Sequence, residues 1–93
     1  MTNRVGFKYP LETSNGPGPF DLQLPVGSEL LSMGAQDYRL VAWALVNQDT
    51  RNTKVVHLEL AWTGSALIRR PKRFIGTATM QGLVWHLFEV EPM

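Results

Sequence analysis

The chain has no cysteine, which excludes thiol nucleophiles, cysteine-built zinc sites, iron–sulfur clusters and any disulfide that would offset the entropy of ordering it. A reducing compartment is the default expectation. Histidine is scarce, with only His57 and His86, so an imidazole-built metal site would have to be completed by carboxylates. No run approaches the roughly 18 apolar residues that span a bilayer as a helix, and the segment from Met1 to Phe7 lacks the apolar core of a signal peptide. A soluble, cytoplasmic protein with no membrane partner is expected. Charge of one sign is also lacking. A formal net charge of +1 supplies no strong steering field for nucleic acid or an anionic membrane, so such a role would need a local patch.

What is present is core-forming material. In 93 residues, 44% are apolar and 18% charged, enough for one packed domain spanning residues 1–93 and too little for a second core. Val5, Phe7, Tyr9 and Leu11 alternate with Arg4, Gly6, Lys8 and Pro10, the period of two that marks a half-buried strand. Asn15-Gly-Pro-Gly-Pro19 is a cluster of breakers and reads as an open loop. Phe20, Leu22 and Leu24 alternate again, and Pro25-Val-Gly27-Ser28 has the composition of a turn.

Residues 29–36 read as a strand, with a short helix near residues 28–33 as the alternative, since Leu30, Leu31 and Met33 suit a helical turn after a Ser28 cap. Gln36-Asp37 then turns the chain into residues 38–46, apolar on both parities and expected at a sheet centre covered on both faces. Lys54 to Trp62 alternates cleanly. Val56, Leu58, Leu60 and Trp62 share one face, and His57 and Glu59 the other. Residues 74–81 and 83–90 form a closing hairpin turned by Gln81-Gly82, where Gly supplies positive φ. About seven strands at this spacing predict an all-β domain, an antiparallel sandwich or small barrel, with an α+β arrangement as the runner-up.

Catalytic signals are weak. No G-x-S-x-G elbow is present, and Gly16-Pro-Gly18 lacks the Lys-Ser/Thr of a P-loop, while Pro17 and Pro19 remove amide donors that such a loop needs. By parity His57 and Glu59 point the same way, and His86 and Glu89 to opposite faces. A metal or acid–base site would therefore rest on one His and one Glu, and an ordinary solvated sheet face is the expectation. No catalytic residue, metal ligand or cofactor is assigned.

The strongest polar signal is Arg69, Arg70, Lys72 and Arg73, four of the nine Lys and Arg residues, in a loop read over residues 63–73. The apolar pair Leu67-Ile68 precedes them, and Trp62 and Phe74 flank them as stacking faces. Arginine forks suit carboxylates and phosphates. Arg69, Arg70, Lys72, Arg73 and Trp62 are thus the candidate partner-binding residues. Trp43, Trp62 and Trp85 are expected in the core. Should Trp43 and Trp85 emerge on the second face of their strands, that apolar face would support a homodimer.

Lys8-Tyr9-Pro10-Leu11, Leu24-Pro25-Val26-Gly27, Trp43-Ala44-Leu45-Val46, Thr63-Gly64, Phe74-Ile75-Gly76-Thr77 and Leu83-Val-Trp-His-Leu-Phe-Glu89 together resemble a family of small proteins of unassigned function encoded by bacteriophages and bacterial genomes. The likeness spans nearly the whole chain. The family pattern has a His and a Pro after the Thr-Gly pair, where Ser65 and Ala66 stand here. The resemblance implies a phage or prophage setting and a bacterial cytoplasm. The expectation is a non-enzymatic accessory protein that binds a host or phage protein. A nucleic-acid-associated factor using residues 69–73, and a small enzyme or nucleotide-binding protein, are the alternatives.

Overall fold

Each alternating run forms a strand in the computed structural model, which describes residues 4–92. The strands are β1 (Arg4–Pro10), β2 (Gly18–Pro25), β3 (Glu29–Gln36), β4 (Arg39–Asn47), β5 (Thr53–Trp62), β6 (Pro71–Met80) and β7 (Leu83–Val90). They form a three-stranded sheet ordered β1-β4-β3 and a four-stranded sheet ordered β2-β5-β7-β6, with all neighbours antiparallel. The fold is an all-β sandwich. Residues 29–36 take the strand rather than the helical alternative, because Leu30 and Met33 can then face Ala44 and Ala42 across the pair. No helix of the described residues is long and apolar enough to cross a membrane.

The inner faces carry the core. Leu24, Leu40, Leu58, Leu60 and Leu87 are fully buried, and each such leucine contributes about 2 kcal/mol of transfer free energy. Trp85 is buried among them, and the Trp62 ring meets it edge-on with centroids 5.5 Å apart. Both tryptophans therefore face inward, as expected for core residues. Trp43 is the exception. It pairs with Lys8 and Ser32 on the outward face of the smaller sheet, half-buried.

That outward face is partly covered by its own side chains. Lys8 Nζ donates to Gln36 Oε1 across the intervening β4 at 2.5 Å, and Val41 on the same face is buried. The expected double covering of β4 is therefore only partial: among the described residues no further layer lies on this side, and Trp43 and Leu45 are half-buried there.

At one corner of the sandwich the edge strands β3 and β6 meet. Arg73 donates through Nη2 to the Leu30 carbonyl at 3.0 Å, and a Cβ on Gly76 would lie 2.8 Å from the Met33 amide nitrogen. Register shifts between Leu30 and Ser32 in β3, and at two places in β6, bend both strands there.

The topology also dictates the path of residues 63–70. Since β5 and β6 are both antiparallel to the strand between them, they run parallel to each other. The connection must therefore return along the length of β7 before β6 can start. It does so over the outer face of the larger sheet, which explains why the outward-facing Glu59, Ala61 and Val90 are buried. The loop ends earlier than the sequence pattern implies, because β6 begins at Pro71. Lys72 and Arg73 are strand residues, not loop residues.

Candidate functional site

The returning loop is tied down at four points. At its start the Trp62 amide donates to Ser65 Oγ at 2.9 Å, and that hydroxyl donates to the Trp62 carbonyl at 2.8 Å. Thr63 Oγ1 hydrogen-bonds to His86 Nε2 at 2.7 Å, while Thr77 Oγ1 on β6 takes the other ring nitrogen at 2.8 Å. At its end the Glu91 amide donates to the Arg70 carbonyl at 2.8 Å. Between these lies Glu59. Its carboxylate accepts the Ile68 amide through Oε2 at 2.7 Å and the Arg69 amide through Oε1 at 2.9 Å.

Glu59 corrects the reading of its face as solvated. It is 1% exposed, because the parallel crossover lays the loop on top of it, and the carboxylate satisfies two loop amides that would otherwise be stranded. Each of its oxygens accepts one of these amides. Its bonded partners are these two amides, while the Nδ1 of His57 pairs with Asp21 Oδ1 on β2 at 2.8 Å. Asp21 and His57 are register partners, a juxtaposition visible only once strand order is known. His86 and Glu89 do lie on opposite faces. His86 is held by the two threonines on the outside, and Glu89 faces inward at one end of the sandwich beside Arg73.

The four cations divide. Arg69 is mostly buried and approaches Asp21 Oδ1 at 3.8 Å; its Nε is enclosed without a hydrogen-bond partner. Lys72 and Arg73 both converge on Glu89, at 3.9 and 3.5 Å. Arg70 alone of the four faces no carboxylate among the described residues, and it is exposed. Trp62 stands apart from the outward surface, since its ring is packed inward against Trp85 and beneath Gly16.

The outward surface around the loop is apolar at its centre. Ile68 is 68% exposed and Phe74 55% exposed, and Phe74 packs edge-on against Phe88 with centroids 5.5 Å apart. Phe88 is the register partner of Glu59, the residue that grips Ile68, so Ile68 and the aromatic pair flank the same anchor. The sequence pattern singled out the cations; the exposed Ile68 just before them was visible only as half of an apolar pair.

Among curated proteins and among solved structures nothing matches the chain. A family model does match, over residues 1–93. The protein therefore belongs to the family described as a domain of unknown function, DUF7352.

Proposed function

We propose that the protein is a non-enzymatic phage or prophage accessory protein that acts in the bacterial cytoplasm by binding a host or phage protein through the loop of residues 63–70 and the adjoining start of β6. The observation that carries this reading is the grip of buried Glu59 on the Ile68 and Arg69 amides. It fixes the loop in one conformation while leaving the Ile68 side chain in solvent. A preordered apolar side chain surrounded by polar groups is what a protein interface uses as an anchor, because little entropy is lost when the partner covers it. The partner surface would offer an apolar recess for Ile68 and Phe74 and an acidic group for Arg70. The phage setting rests on the sequence resemblance.

The pairing of Arg69, Lys72 and Arg73 with Asp21 and Glu89 favours this reading over nucleic acid. Affinity for a polyanion scales with the phosphates a surface can neutralise, and one unpaired arginine neutralises few.

The test is recovery of partners from a bacterial host lysate by the wild-type protein and by the double variant Ile68→Asp, Arg70→Glu. Loss of specific partners from the variant is expected. Equal recovery of the same partners by both overturns the choice of surface, and salt-dependent binding of DNA or RNA by the wild type would transfer the reading to a nucleic-acid-associated factor. A homodimer is a separate proposal, motivated by Leu31, 49% exposed, beside Trp43 and Leu45 on the smaller sheet. A monomer mass by light scattering across micromolar concentrations would remove it.

A further inference from the structure

At the end of the sandwich where β2 turns into β3, the two sheets diverge around a cleft of about 370 Å³. Three cations from three strands line it, and each donates to a carbonyl of one short segment. Arg4 Nη2 reaches the Gly27 carbonyl at 3.3 Å, Lys54 Nζ the Ser28 carbonyl at 3.0 Å, and Arg73 Nη2 the Leu30 carbonyl at 3.0 Å. Like charges so gathered repel, and only Arg73 is matched locally, by Glu89 at 3.5 Å. Arg4 and Lys54 face no carboxylate in an ion pair among the described residues. Glu29 also borders the cleft; its register partner Leu45 and Arg4's partner Asn47 lie on the same outward side of the smaller sheet, so this carboxylate stands on the same side of the mouth as Arg4.

Three cations against the two carboxylates of Glu29 and Glu89 leave the lining with a net positive charge. An ammonium carries three N–H donors, and one of those of Lys54 is committed. The buried Ser28 hydroxyl accepts the Asn47 amide at 3.4 Å, which leaves its own proton to be donated. The floor is apolar, made by buried Leu24, Leu30 and Val56. A small volume with an apolar floor and a few converging polar groups has the make-up of a ligand site.

We infer that this mouth binds the phosphate group of a small molecule. A phosphate presents several acceptor oxygens in divergent directions, which donors arriving from β1, β5, β6 and the β2–β3 turn can meet together. Such bonds between ionised groups are roughly twice as strong as neutral ones. The apolar floor would take the organic body of the ligand. The site takes Arg73 from the start of β6, beside the loop surface proposed above, but none of Ile68, Arg70 or Phe74, so one can fail without the other.

The test is an amide NMR titration of the full chain with inorganic phosphate and, separately, glycerol phosphate, against sodium chloride at matched ionic strength. Saturable shifts confined to Gly27–Leu30 and the neighbourhoods of Lys54 and Arg73 are expected with either phosphate, and tighter binding of the ester would show that the floor takes part. Lys54→Met should weaken binding about tenfold, with Lys54→Arg retaining it. Because Lys54 also braces the turn, Ser28→Ala serves as a second variant and should weaken binding while the spectrum elsewhere stays native. Shifts no larger than those from chloride, or unchanged binding in both Lys54→Met and Ser28→Ala, would overturn the proposal.

Discussion

Glu59 and Ile68 are nine residues apart in the chain and joined by a 2.7 Å hydrogen bond from the Ile68 amide to a carboxylate oxygen of the buried Glu59 side chain. The same carboxylate holds the Arg69 amide, so Gln at this position could accept one amide but would turn its own NH₂ toward the other. Glu59→Gln is expected to cost about 2–3 kcal/mol, and Glu59→Ala somewhat more, by leaving buried donors unsatisfied. Urea unfolding measures the loss. Hydrogen exchange locates it, with the Ile68 and Arg69 amides losing protection first. Unchanged exchange at these two amides in Glu59→Gln would show that the loop is held by its other ties.

Sequence periodicity revealed the strands because each inner face is a run of alternating apolar residues closed by a turn. The two tryptophans facing inward follow from the same parity. What periodicity does not carry is which strand lies beside which. Asp21 meets His57, and Glu59 sinks under a loop, only because β7 inserts between β5 and β6 and forces a parallel crossover. The basic cluster was legible as residues but not as charge, since its pairing with Asp21 and Glu89 depends on register and on β6 starting at Pro71. Likewise the cations of the mouth, Arg4, Lys54 and Arg73, are distant in sequence and share only a destination.

Two glycines make contrasting predictions. An alanine Cβ at Gly76 would sit 2.8 Å from the Met33 backbone nitrogen, and backbone cannot rotate away, so the β3–β6 corner must open. Gly76→Ala is expected to destabilise by about 2–3 kcal/mol. At Gly34 the obstacle is the outer edge of the Trp43 ring, also 2.8 Å away, and a half-exposed side chain can swing off. Gly34→Ala should cost roughly 1 kcal/mol or less but shift tryptophan emission to the red as the ring enters water. Thermal or urea unfolding with fluorescence separates the cases. Equal destabilisation of the two would contradict the distinction between backbone and side-chain obstruction.

Glu12 predicts a pH response without a large energy. Its Oε1 accepts the Ser14 amide at 2.8 Å, and that bond, with the coulombic pull of Arg39 as a smaller cause, holds its carboxyl below its ordinary value. A depressed folded-state pKa contributes stability above the unfolded value and loses it as pH falls through the folded one. The Ser14 amide resonance should therefore move on acidification with the Glu12 midpoint, at a pH below that of an unstructured glutamate, and Glu12→Gln should abolish that movement. A Ser14 shift that survives the substitution would sink the assignment.

The β3–β4 hairpin turns on Asp37 and Tyr38, both at positive φ, 53° and 63°, one residue later than Gln36-Asp37. These angles belong to the two-residue turn that matches strand twist, and Asn-Gly is the pair best suited to it. A tyrosine there places its Cβ against the backbone, a cost of about 1–2 kcal/mol in the left-handed region. Nothing in the fold repays it, since the Tyr38 side chain is 89% exposed. Asp37→Asn with Tyr38→Gly is therefore expected to raise stability by about 1 kcal/mol and to leave the core unchanged, because the strands on either side keep their register. The unfolding midpoint measures the gain. If the double substitution instead lowers stability, Tyr38 makes a contact that its exposure hides. If it leaves stability unchanged while abolishing partner recovery, the strained hairpin, rather than the loop of residues 63–70, is the surface that binds.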